Sequence, residues 1–189
     1  MLYRNSFVMY DRETRSLWVH TTGQAVKGEL RGEQLEFLPS EVVPWNVWSE
    51  RHPQSLVLDR GGEDTDFMGT FGLPDRAEAF GYSVGSGTRA TLYAYEYVVE
   101  SGLVEHGDHL VVHVAEEDAV RAFARAGKSY HLDAAGQLSD GAGGLWDPRS
   151  GESRAGGTAD LLRLPATPWL IDRWRGFYGA GEVVGAAGD

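Results

Sequence analysis

The sequence predicts a mainly β protein of β-rich α+β class: two pseudo-repeats of short antiparallel strands with a few short helices. Three observations carry that expectation. Short aromatic and β-branched runs alternate with Gly, Asp and charge clusters along the 189 residues. Two segments, ATLYAYEYVV (Ala90–Val99) and HLVVHV (His109–Val114), are strongly strand-like. A series of Trp and Gly spacings also recurs in order in the two halves.

In chain order, Leu2–Tyr10 and Ser16–His20 read as strands divided by a polar turn. Gln24–Leu38, with Gly28 and Gly32, reads as a hairpin. Ser40–Arg51 reads as a helix, with Ser40 as N-cap, Pro44 near its start and His52-Pro53 as its stop. Leu56–Leu58 reads as a short buried strand, and Arg60–Asp75, rich in Gly and Asp, as a loop. Ala115–Ala126 reads either as a helix or as a turn followed by a strand. Pro168–Tyr178 reads as a short helix, and the terminal GAAGD as a frayed tail.

The recurrence is specific. Gly23 and Gly28 follow Trp18 at intervals of five residues, and Gly151 and Gly156 follow Trp146 at the same intervals. Trp48 lies ten residues after Leu38, as Trp174 lies ten after Leu164, and Val57 and Val183 lie nine beyond those tryptophans. Asp11 ahead of SLW has its counterpart in Asp140 ahead of GLW, with one residue fewer between. This series implies a first, shortened pseudo-repeat over residues 1–60, a linker over 61–80 and a second pseudo-repeat over 81–189, forming one compact unit. The first lacks the N-terminal half of the second, which predicts an exposed strand edge and self-association through it.

Composition narrows the function. Acidic residues outnumber basic ones 28 to 17, for a net charge of −11, which repels phosphate backbones and disfavours nucleic acid as a partner. The absence of cysteine excludes disulfides, thiolate nucleophiles and Cys-based metal sites. No apolar run reaches the ~18 residues of a transmembrane span. The first residues contain no signal-peptide core, so this chain reads as cytoplasmic.

Candidate site residues fall in two groups. Asp11, Arg12 and Thr14 form a carboxylate–guanidinium turn ahead of Trp18; it is either a polar grip for a ligand or an Asp-led turn. Trp45, Trp48 and His52 share a helical side, as a core-facing stripe or as an aromatic pocket wall with His52 at its rim. Of these, Arg12, Thr14, Trp45 and His52 have no like partner in the second copy. His106, Asp108 and His109 are weak metal-ligand candidates in a turn, whereas His109 and His113 stand ~13 Å apart on one strand face. No nucleophile elbow, phosphate cradle or HExxH spacing occurs, and no cofactor is evident.

MLYRNSFVMYDRETRSLWVHTTGQAVKGELRG followed by LPSEVVPWNVWSERHPQSLVL resembles the DUF3179 family, an uncharacterised prokaryotic family, over roughly residues 1–60. A fainter resemblance extends through GSGTRATLYAYEYVVESG, HLVVHV, and AFARAG to LWDPRSG. Arg15 stands where the family often has Gly. The resemblance implies a further upstream segment with a CPLC-like sequence, and export in many members. With an N-terminal truncation, an extracytoplasmic location is the alternative to a cytoplasmic one. The leading reading is a non-catalytic binding or structural module for a small ligand or a protein. The alternatives are an enzyme or redox accessory whose Cys-containing segment is missing from this chain, and a metal-handling protein.

Overall fold

A computed structural model describes residues 2–3, 6–57, 80–85, 90–156, 158–179 and 181–186, and the statements below concern these residues. They form a β-rich fold of four small sheets with three short α-helices. The first sheet is an antiparallel meander of β1 (Leu2–Tyr3), β2 (Ser6–Tyr10), β3 (Leu17–Val19) and β4 (Ala25–Lys27). Helix α1 (Trp45–Arg51) follows. Strands β5 (Phe80–Val84) and β6 (Thr91–Ala94) pair antiparallel, with Tyr82 opposite Tyr93.

Helix α2 (Tyr95–Ser101) leads to β7 (Leu103–His106), β8 (His109–Val114) and β9 (Ala119–Ala124). A second meander contains β10 (His131–Leu132), β11 (Leu138–Ser139) and β12 (Leu145–Trp146). β13 (Arg163–Leu164) joins β9, and β14 (Ala166–Leu170) joins β5. After helix α3 (Ile171–Tyr178), β15 (Glu182–Val184) runs parallel to β6, giving a sheet of order β14-β5-β6-β15.

The turn skeleton recurs around Trp18 and Gly23 and around Trp146 and Gly151, but not at the next aligned pair: Gly28 has φ 100°, whereas Gly156 does not take a positive φ. The Val19 N–H bonds Gln24 O at 2.9 Å, and the Asp147 N–H bonds Glu152 O at 2.9 Å. The N–H of Gly23 bonds Val19 O and that of Gly151 bonds Asp147 O, both at 2.8 Å. Both glycines have positive φ, 64° and 81°, a conformation costly for side chains with a Cβ. Trp18 stands opposite Ala25, and Trp146 opposite Ser153.

The apolar core is distributed unevenly. All three buried clusters lie beyond residue 81. One packs Tyr82, Tyr93 and Val98 against Val111 and Val120; another sets Trp146 and Leu138 against Phe123. The third packs Trp174 and Ile171 on Leu92 and Ala94. In residues 6–57 the buried apolar side chains are Trp18, Val19 and Ala25.

Several expectations need correction. The helix expected from Ser40 begins at Trp45, and Pro44 occupies the N-cap position without a side-chain cap. Proline's fixed φ and missing N–H suit it to that entry. Leu56 is 98% exposed and Val57 is exposed, so this pair is not a buried strand; Leu58 lies outside the described residues, as do the loop expected at 60–75 and most of the 61–80 linker. The strand expected through Val99 ends at Ala94, where α2 begins. Gly102, at φ 69°, supplies the helix stop that the aromatic run obscured. Ala115–Ala126 takes the turn-then-strand alternative, and α3 starts at Ile171 because Pro168 and Trp169 belong to β14.

Candidate functional site

The DRET turn is built from local bonds. The Asp11 carboxylate accepts the Glu13 N–H at 2.9 Å and the Thr14 hydroxyl at 2.5 Å. The Thr14 bond, then the Glu13 bond, holds the Asp11 carboxyl below its ordinary pKa. Thr14 also bonds Ser16, whose buried hydroxyl receives the Leu30 N–H at 3.1 Å. Asp140 makes the matching turn, accepting the Ala142 N–H at 3.0 Å. Asp11 and Thr14 are thus committed to the turn, while Arg12 points outward as an exposed side chain.

The α1 region is different. The helix has no buried residue, which removes the core-facing reading of Trp45 and Trp48. Trp45 is 56% exposed, and it lines an open cleft of about 410 Å3 with Glu41, Val42, Val43 and Trp48. His52 lies against Trp48 at a ring distance of 4.0 Å, and Trp48 Nε1 donates to Ser55 at 2.8 Å. Leu38, Leu56 and Val57 add further exposed apolar surface in the same stretch.

Behind this face lies an ion cluster not anticipated from the sequence. Arg121, 1% exposed in the middle of β9, pairs with Glu41 and, at 2.8 Å, with Glu117. Arg51, at the end of α1, reaches Glu41 at 3.2 Å and Glu117 at 3.4 Å. Arg163 approaches Glu41 at 3.7 Å, and Arg149 approaches Glu117 at 3.4 Å. Burial pulls the Arg121 pKa down, opposed by Glu41 and then Glu117. The cluster thereby ties the segment that carries the cleft to the core of the rest of the chain. One signal was available: AVRAFA places an arginine inside an otherwise apolar strand, where a buried cation needs acidic partners.

The histidine turn does not converge. His106 and His109 face each other across β7 and β8, but His106 Nε2 pairs with Glu182 at 3.0 Å while His109 Nδ1 shares a 2.9 Å hydrogen bond with the Tyr93 hydroxyl. Burial first, then His106, pulls the His109 pKa down, against Asp108. Burial pushes the Tyr93 hydroxyl up. Among the described residues no group of three or more His, Asp or Glu side chains is arranged to hold a metal ion. Nor is any described helix long and apolar enough to cross a membrane.

Fold and site together define a small β-rich protein with an open aromatic face fixed to its core by buried ion pairs. Residues 1–74 match the model of DUF3179, a protein family of unknown function. The match includes the DRET turn and the α1 face. No curated protein and no solved structure matches the chain.

Proposed function

We propose that the protein is a non-catalytic binding module whose binding surface is the α1 face. The carrying observation is the distribution of apolar surface. Of the twelve large apolar side chains exposed among the described residues, six lie between Leu35 and Val57, four on the first meander (Tyr3, Phe7, Met9 and Tyr10), and two, Tyr97 and Leu162, beyond. Exposed apolar side chains gathered round a cleft, as Val42, Trp45 and Trp48 are here, mark an interaction site when the scaffold is fixed. The Glu41–Arg121–Glu117 pairs supply the fixing, so the face is presented without first having to be ordered.

The test is a photo-crosslinking amino acid placed at Val42 in the living host cell. The expected result is one discrete crosslinked species, lost when Trp45 is also changed to Arg. The same probe at exposed Arg12 gives none. Crosslinking from position 12 but not from position 42 would place any binding surface elsewhere and end this reading.

A further inference from the structure

The second half of the chain displays what covers the face that the first half leaves open. Trp45 and Trp48 stand where Ile171 and Trp174 stand, at the same spacing from their Leu-Pro and Val landmarks. Ile171 is 9% exposed and Trp174 is fully buried, because the β5–β6 hairpin lies over them and Ser83 accepts the Trp174 indole N–H at 2.9 Å. That hairpin sits between β14 before the helix and β15 after it. The corresponding residues of the first half are 40–44 and 56–57.

In the first half these flanking segments are open. Among the described residues, the backbone groups of Ser40–Val43 and Leu56–Val57 make no backbone hydrogen bond. Backbone left unpaired beside exposed apolar side chains is where a strand can be added. The meander tells the same story: Leu138, opposite Trp146, is fully buried, whereas Met9, opposite Trp18, is half exposed.

Charge also selects the occupant. Glu41 is already neutralised by Arg121 and Arg51, so Glu36 and Glu50 set the local charge of residues 36–57, whereas the sequence 80–94, which contains the two covering strands, has Arg89 as its sole charge. A second copy of this acidic chain would bring like charge to the face. A second α1 face would also present two further outer segments where two central strands are needed.

We propose that the α1 face accepts an apolar, neutral-to-basic β-hairpin from a partner protein, inserted between residues 40–43 and 56–57. This rests on the binding-module reading and names its partner class. Antiparallel pairing with 40–43 and parallel pairing with 56–57 reproduce the arrangement of β14-β5-β6-β15.

The experiment uses the intact chain and a synthetic hairpin peptide with the sequence of Phe80–Ala94. Saturable 1:1 binding is expected, with amide hydrogen exchange slowed at least about tenfold at Val42, Val43 and Val57. Val43→Pro removes one backbone donor, and Trp45→Arg removes the apolar anchor. Each is expected to weaken binding at least about tenfold while leaving the urea midpoint unchanged, because neither Val43 nor Trp45 is buried. Peptide binding without amide protection, or no peptide binding beside a positive crosslink from Val42, overturns the hairpin and leaves the binding module standing. A dimer of the chain alone that protects the same amides names a second copy as the occupant and likewise overturns the hairpin. Absence of both peptide binding and crosslink removes both readings.

Discussion

Residues 6–57 and residues 131–184 share a turn skeleton and differ in what is packed against it. Gly23 and Gly151 make the same backbone hydrogen bonds, and Asp11 and Asp140 each accept the N–H two residues on, yet Trp174 is buried beneath a hairpin while Trp48 borders an open cleft. Turn geometry is specified within a few residues. Core formation needs a second layer, and the first half has none of its own among the described residues. The lesson is that a local pattern can persist while the tertiary surroundings that would bury it are absent.

Replacing the paired tryptophans sharpens this contrast most. Trp174→Ala is expected to destabilise by about 3–5 kcal/mol, the range for emptying a large buried site. Trp48→Ala is expected to cost about 1 kcal/mol or less, closer to surface substitutions. Equal losses in urea denaturation would break the comparison.

Next comes the tie between the halves. Arg121→Ala leaves Glu41 and Glu117 facing each other without their buried cation, an expected loss of about 3 kcal/mol. Hydrogen exchange should then rise selectively in α1, at Trp48 and His52, before it rises in β8.

The valines give a smaller contrast. Val183 packs against the Trp174 cluster, so Val183→Ala should cost about 1 kcal/mol. Val57→Ala, at an exposed position, should stay within about 0.5 kcal/mol.

The smallest effect tests what the halves share. Asp11 and Asp140 both have lowered pKa values, Asp11 chiefly through Thr14 and Asp140 chiefly through Lys128. A folded pKa below the unfolded one means stability present above about 3.9 and lost as pH falls through the folded value. Asp11→Asn and Asp140→Asn should therefore lower the urea midpoint at pH 7, and the differences from the parent should fade as pH falls below the carboxylate range. A difference that stays constant down to pH 2 would show that ionisation of these turns contributes nothing.

The strands of the first meander, His109–Val114 and the Trp–Gly series were legible because alternation and positive-φ glycines act locally. The start of α1 was misplaced because Ser40 has the chemistry of a cap, whereas Pro44 sets the geometry. α2 was hidden because Tyr95, Tyr97, Val98 and Val99 favour strands, and Gly102 was the only strong helix signal. The α1 aromatics were found, but their exposure was not legible, since the same stripe faces a core when a second layer is present. Glu41 and Arg121 could be joined only by the fold: eighty residues separate them.

That separation gives the Glu41–Arg121 pair a meaning in time. A ribosome adds ~5–20 residues per second, so Glu41 is synthesised on the order of 4–16 s before the arginine it will meet. Until β9 emerges, the segment that carries α1 and its tryptophans lacks its ion pair to Arg121. The nascent first half is therefore the part of this protein that a chaperone would have most reason to hold.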